Sequence, residues 1–388
     1  MPRPHLVSNL GQVELTSGGL IGLLFLAAVG VTGATVWLWP KYAGHELRPA
    51  LTRSGLLAGS QVTLALAVVA WVNSYFIFYA TWGDIFGNEP PAQTSVKRAG
   101  APQHLSYHQP GHPSLTALWS KQKQREPLKY GKLEDIRLPG ARTGFDQQAY
   151  VLLPPEYFRQ EFAQRKFPVV LMLTGYPGSA KSLIRLLKLP DWVQKGRAKG
   201  ELQPTIYVMT TPNVAMPRDT ECTDVPGGPQ VAAYFAQDVP QALAGSYRVA
   251  TTRDGWGIMG DSTGGYCAAK IAMIYSDRYG SAASISGSFH AIRDMTTGDL
   301  WGHSRAVRNA NDLMWRLQHL PPPPINLLIT SSRVGEKTYP QARQVMTLAR
   351  PPLNLSEIFL DSGGHNYDTW ARVLPSVLDW MSRHQKVS

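Results

Sequence analysis

The chain has 388 residues, and its 38 Lys and Arg against 27 Asp and Glu give a formal charge of +11. With 44% hydrophobic residues, 11 Trp and 16 Tyr, it is too apolar and aromatic for a disordered polymer. The positive excess suits an anionic partner such as a membrane surface or cell-wall polymer. Nucleic acid is not expected, because no helix-turn-helix, zinc-finger or RNP pattern accompanies the charge.

Two stretches, Gly18 to Trp39 and Gly55 to Trp82, contain no charged residue. At 1.5 Å per residue each is long enough to cross roughly 30 Å of hydrocarbon. Trp37 and Trp39 close the first, and Tyr75, Tyr79 and Trp82 close the second, as interfacial aromatic belts do. Two transmembrane helices are therefore predicted, in preference to buried core helices or a signal peptide. The loop from Pro40 to Ser54 carries Lys41, Arg48 and Arg53 against Glu46, whereas the N-terminal tail offers Arg3 against Glu14. The positive-inside rule then puts the loop in the cytoplasm and the large C-terminal part outside. In that compartment the two cysteines, Cys222 and Cys267, are a candidate disulfide, the alternative being two unrelated buried thiols.

Three segments are expected: a membrane anchor at 1–82, a linker at 83–129 and a catalytic domain at 130–388. The linker is rich in Pro, Gly, Gln and basic residues. His104, His108 and His112 recur every four residues within it, but Pro110, Gly111 and Pro113 disfavour the helix that would turn them into a metal face, and no metal site is expected.

From about Tyr130, strands alternate with helices. Strands are predicted at 149–153, 167–174, 205–211, 256–259, 282–286, 325–331 and 357–361, and helices at 230–244, 263–275, 339–349 and 370–384. Several strands read as near-continuous apolar runs, the pattern of strands buried on both faces. The alternation implies an α/β fold, a mainly parallel central sheet covered by helices.

Gly260-Asp261-Ser262-Thr263-Gly264 fits G-x-S-x-G. The match is weak alone, but an apolar strand runs into it and a helix rich in Ala, Ile and Met follows. A serine on such a strand-to-helix turn is thrust to the top of the sheet, with the following helix N-terminus aimed at it. The alternative is a serine that only caps the helix. A hydroxyl nucleophile needs a base. His365, in the Gly-rich loop after the last strand, is the candidate. Glu336, after the preceding strand, is the candidate acid that would orient it, and Asp361 is its rival. The order Ser, acid, His is that of α/β-hydrolases.

The stretch "LMLTGYPGSAKSL" admits two readings. As a P-loop it lacks the glycine before the lysine, where Ala180 stands. As the turn after an early hydrolase strand, it supplies one oxyanion donor, the Tyr176 N–H, beside that of Thr263. The second reading is preferred. No cofactor is expected.

From about Lys132 to His384 the chain resembles the Putative esterase family of α/β-hydrolases, which includes esterase D and the secreted mycolyltransferase antigens. The resemblance rests on "YVLLPPEYF", "LMLTGYPGS", "RDTECTDVPGGPQ", "GDSTGGYCAAK" and "GGHNYDTWARVLPSVLDW". It implies Ser262, Glu336 and His365 as a triad. It looks closest to membrane-anchored bacterial members with an extracytoplasmic catalytic domain. Where the mycolyltransferases carry an acidic residue and an Arg around the oxyanion turn, this chain has Thr174 and Pro177, so ester hydrolysis or another acyl transfer is expected instead of trehalose mycolylation. The segment "RDTECTDVPGGPQ" is expected at the carboxyl edge near the site, which would bring Cys222 within reach of Cys267. The expected substrate is an acyl ester, with a lipid or cell-wall glycan as candidate acceptor. A serine peptidase and a non-catalytic hydrolase-like scaffold are the alternatives.

Overall fold

A computed structural model describes residues 18–44, 46–76 and 118–386. Residues Arg3, Glu14, Tyr79 and Trp82, the three spaced histidines and residues 83–117 of the expected linker lie outside them. Two compact units emerge, residues 1–91 and 92–388.

In the first unit, α1 (Gly18–Leu38) passes directly into a 3-10 turn over Trp39–Tyr42 that contains Pro40. Helix α2 (Leu47–Phe76) begins eight residues before the predicted start of the second span at Gly55, taking in Arg48 and Arg53. Pro49 is tolerated there because the first helical turn has no partner for its missing N–H. The Thr35 hydroxyl donates to Val31 O at 2.8 Å within its own helix and faces Leu56 O of α2 at 3.2 Å. Both helices are long and apolar enough to cross a membrane, and little of either is buried.

The second unit is an eight-stranded sheet: β1 (Lys132–Pro139), β2 (Asp146–Leu153), β3 (Val169–Leu173), β4 (Ile206–Thr210), β5 (Trp256–Asp261), β6 (Ser281–Ile285), β7 (Asn326–Val334) and β8 (Asn354–Ser362). The strand order is β1-β2-β4-β3-β5-β6-β7-β8. The pairs β1–β2 and β2–β4 are antiparallel and every other pair is parallel. The mainly parallel α/β architecture expected from the alternation is therefore the one observed.

Helices cover both faces. On one, α3 (Ala180–Arg185), α4 (Leu189–Ala198) and α9 (Tyr367–His384) pack Leu183, Val193 and Leu374 against Val170 and Met172. On the other, the helical run 231–244, α5 (Thr263–Ile274), α7 (Leu313–His319) and α8 (Tyr339–Leu348) pack Phe235, Ile271 and Leu317 against Leu171 and Ile258. Strands β3, β4, β5 and β6 are buried at every residue, and each Leu or Ile taken out of water there contributes roughly 1.5–3 kcal/mol. Helix α6 (Arg305–Asn311) precedes α7. Trp119 is buried in the same core as α9, so residues 118–129, read as linker, pack on this unit.

Candidate active site

Strand β5 runs into α5 with Ser262 at the corner, at φ 54° and ψ −122°. A non-glycine residue at positive φ is strained, and the surroundings must hold it. The Ser262 N–H donates to Ile285 O at 2.9 Å, and the Ser262 carbonyl accepts from the Tyr266 N–H at 3.1 Å, opening the helix. The turn is possible because of glycine on both sides. A Cβ on Gly264 would lie 2.1 Å from Leu173 O, and one on Gly260 would lie 2.5 Å from the same atom. The serine side chain makes no capping bond to α5, which removes the capping alternative.

Its hydroxyl instead meets His365. His365 Nε2 lies 2.8 Å from Ser262 Oγ, and His365 Nδ1 lies 3.0 Å from Glu336 Oε2. Gly335, at φ 97°, ends β7 and brings Glu336 against the loop that carries the histidine, whose Gly363 carbonyl oxygen would lie 2.5 Å from a Cβ on Gly335. On the other side of the histidine, Asn366 accepts the Thr369 N–H at 3.0 Å and so sets the start of α9. Trp370 of α9 stands edge-on to the imidazole, with centroids 5.1 Å apart. The Glu336 side chain is fully buried and the His365 side chain is 43% exposed. A buried carboxylate facing Nδ1 favours the tautomer with its proton there, leaving Nε2 to accept from the serine. The rival carboxylate, Asp361, is solvent-exposed and pairs with Arg333 at 3.7 Å.

The turn after β3 lies against the serine, since a Cβ on Gly175 would sit 2.9 Å from Ser262 Cβ. The Gly175 N–H is taken by Asp261 Oδ2 at 3.0 Å. The N–H groups of Tyr176 and Thr263 have no partner among the described residues. Among the described residues no group of three or more His, Cys, Asp or Glu could hold a metal ion.

Two acids near the serine escaped the sequence reading. Asp261 is fully buried, its Oδ1 has no partner among the described residues, and burial pushes its carboxyl up to about 7 against the pull of the Gly175 N–H and His365. Its place inside the serine motif is the only signal that could have drawn attention to it. Between about pH 4 and 7 the unfolded chain has released this proton while the folded chain keeps it. Stability therefore falls as pH rises through that window, by about 4 kcal/mol for a shift of this size, and is level above it. Asp261→Asn should remove this slope. Urea unfolding of both proteins at pH 4.5 and pH 8 should show the variant gaining on its parent at the higher pH. A pH-independent difference would refute the burial argument.

Asp219, in the segment expected at the carboxyl edge, accepts the Thr263 hydroxyl at 3.2 Å and the Glu221 N–H at 2.9 Å. Burial raises its carboxyl above the usual range. Behind it the Lys270 ammonium donates to Glu221 O, to Thr223 Oγ1 at 3.1 Å and to Asn311 Oδ1 at 3.0 Å. Burial lowers the pKa of this lysine and raises that of Glu221. Next to Glu221, Cys222 is disulfide-bonded to Cys267 of α5, across a sequence separation of 45. Closing a loop of that length stabilises by about 4 kcal/mol in the chain-entropy account. The double variant Cys222→Ser/Cys267→Ser should lose about 2–4 kcal/mol in denaturant unfolding. Free thiols at both positions in non-reducing mass mapping would contradict the bond itself.

Three comparisons bear on this geometry. An uncharacterized protein of Corynebacterium glutamicum is 24% identical over 97% of this chain and 92% of its own length. Among solved structures, a ferulic acid esterase matches with a TM-score of 0.56 at 17% identity, over 65% of this chain and 97% of its own. The S-formylglutathione hydrolase of Agrobacterium tumefaciens matches with a TM-score of 0.55 at 14% identity, over 66% and 95%. A fluorophosphonate-binding serine hydrolase of Staphylococcus aureus matches with a TM-score of 0.52 at 16% identity, over 64% and 98%. At these identities the solved structures establish the shared fold. Residues 140–384 match the family described as Putative esterase, and the chain accordingly belongs to that family of esterase-type hydrolases.

Proposed function

We propose that the chain is a membrane-anchored serine esterase, working through Ser262, His365 and Glu336 with an acyl-enzyme intermediate. The observation that carries this reading is the continuous relay from Ser262 Oγ to His365 Nε2 at 2.8 Å and from His365 Nδ1 to Glu336 at 3.0 Å. As Oγ attacks the ester carbonyl, Nε2 takes its proton and Glu336 supports the resulting imidazolium. The carbonyl oxygen becomes an oxyanion, for which the free N–H groups of Thr263 and Tyr176 are the donors. Collapse expels the alcohol, which takes the proton from Nε2, and leaves the acyl group on Ser262. Water then attacks with His365 as base. A hydroxyl of a lipid or cell-wall glycan in place of that water would make the same centre an acyltransferase.

Residues 1–82 are read as the anchor and 130–388 as the catalytic domain, with 83–129 between them and its last part, 118–129, packed on the catalytic unit. An extracytoplasmic position agrees with the Cys222–Cys267 disulfide, a bond that persists in oxidising compartments. It agrees also with the cations Lys41, Arg48 and Arg53 between or at the facing ends of α1 and α2. The test is fluorophosphonate labelling of the full chain in neutral detergent beside a Ser262→Ala control, followed by turnover of a p-nitrophenyl ester series. Labelling and turnover that both vanish in the control are expected. A folded chain that takes no label would overturn the reading.

A further inference from the structure

The connection between β6 and α6 borders an open surface cleft of about 590 Å³, lined by Arg293, Asp299, Trp301, His303, Arg305 and Arg308 among others. Its charge is lopsided, with three arginines facing one carboxylate. That carboxylate is already engaged, since Asp299 accepts the Trp301 N–H at 2.9 Å and the His303 N–H at 2.8 Å and pairs with His303 Nδ1 at 3.1 Å. These bonds hold its pKa below the usual range. Arg293, Arg305 and Arg308 pair with no carboxylate among the described residues. Arg305 and Arg308 are three positions apart on α6 and so share one face, and the Arg308 guanidinium lies 5.6 Å over the Trp301 ring. Trp301 is buried with Leu300 and Val225, which makes it a fixed wall.

Three exposed arginines thus line one cleft without a salt bridge among the described residues, while Arg293 acts on Asp299 only through its field. Each presents a planar fork matched to the oxygens of phosphate. The cleft is tied to the nucleophile's surroundings. Arg218 donates through Nε to Thr297 O at 2.7 Å and through Nη2 to Asp299 O, and the neighbouring Asp219 N–H donates to Thr296 O at 3.1 Å. Asp219 in turn holds the Thr263 hydroxyl, one residue from Ser262.

The geometry points to a binding site for a phosphate-bearing anion in this cleft, separate from the ester-cleaving centre, in which Arg293, Arg305 and Arg308 grip the phosphate oxygens. The phosphate could belong to a lipid headgroup or to a free or polymeric phosphate, and the chemistry recognised is the same. The site does not depend on the triad reading.

The experiment is isothermal titration calorimetry on the full chain in neutral detergent with two probes. One is inorganic tripolyphosphate and the other is dihexanoyl phosphatidic acid kept monomeric, with dihexanoyl phosphatidylcholine as the zwitterionic control. Binding that weakens with added salt is expected. Arg305→Gln/Arg308→Gln should weaken it at least about tenfold, and Arg293→Gln, on a separate segment, should also weaken it, because each removes charge-assisted hydrogen bonds. Hydrolysis of p-nitrophenyl acetate and the melting temperature should stay at parental values in these variants. Ser262→Ala should bind as its parent does, so failure of the esterase reading and failure of this one are separable. Binding of both probes supports a site open to headgroups, and binding of tripolyphosphate alone supports a free or polymeric phosphate. Binding unchanged in the triple arginine variant, or no binding of either probe by the parent chain at millimolar concentration, would overturn the proposal.

Discussion

Replacing His365 with Ala should lower kcat on p-nitrophenyl butyrate by about five to six orders of magnitude with little change in KM. The loss reflects the role proposed for the imidazole. It contacts Ser262 Oγ at 2.8 Å, and without it the hydroxyl has no base to take its proton. Glu336→Gln should cost about 10⁴-fold, through a different route. A glutamine amide turned toward Nδ1 would donate a hydrogen bond and hold the other tautomer. Its Nε2–H would then point at the serine and could not accept the serine proton. The variants should also be non-additive. Ser262→Ala/His365→Ala should be no slower than Ser262→Ala alone, because neither group works without the other. Steady-state kinetics of the four variants beside the parent checks all of this. A Glu336→Gln enzyme retaining more than about a tenth of parental kcat would remove Glu336 from the proposed relay.

Gly264→Ala should prevent stable folding of the hydrolase unit. The added Cβ would lie 2.1 Å from Leu173 O, 2.6 Å from Leu173 C and 2.7 Å from Thr174 O. All three are backbone atoms at the carboxyl end of the central strand β3, so no side-chain rotation relieves the clash and α5 must lift away from β3. A loss above about 4 kcal/mol is expected, large for a single methyl group. In a unit of this size that corresponds to a fall of roughly 10 °C or more in melting temperature, or to insoluble protein. Gly245→Ala is the matching control. Its Cβ would meet only carbonyl oxygens at 3.6 Å, at an ordinary φ of −73°, and its melting temperature should be parental within about 2 °C. A well-folded Gly264→Ala protein would show that helix and strand can separate without cost.

The sequence was most legible where burial is complete. Strands β3 to β6 are buried along their whole length and mostly apolar, and the reading of the chain placed each within a few residues. Strand β1 was missed because it lies at the edge, and in "KLEDIRLP" charged residues interrupt the apolar side chains of Leu133, Ile136 and Leu138. Helix α4 was missed because Lys188 takes a left-handed conformation ahead of it and Pro190 opens it, which breaks any continuous helical period. The proposed site residues could be named because chain order and turn chemistry constrain them, and the structure brings Ser262, His365 and Glu336 within hydrogen-bond distance. Asp261 and Asp219 were not singled out. A buried carboxylate leaves no periodic trace, and its partners, the Gly175 N–H and the Thr263 hydroxyl, come from segments far away in the chain. Burial alone separates them from solvated acids.

The bonds joining Arg218 and Asp219 to the carbonyls of Thr296, Thr297 and Asp299 carry a consequence for engineering. Two insertions on the sheet, residues 211–230 and 286–304, grip one another through two bonds from the Arg218 side chain and one from the Asp219 main chain, all to main-chain carbonyls. The accepting carbonyls are the same whatever the side chains, so the grip constrains the shape of the second insertion, whereas the first must keep an arginine at position 218. Exchanging one insertion for that of a relative would break a joint whose other half stays behind. Exchanging both together would carry the joint along, so the pair is the natural cassette for recombination between members of this family.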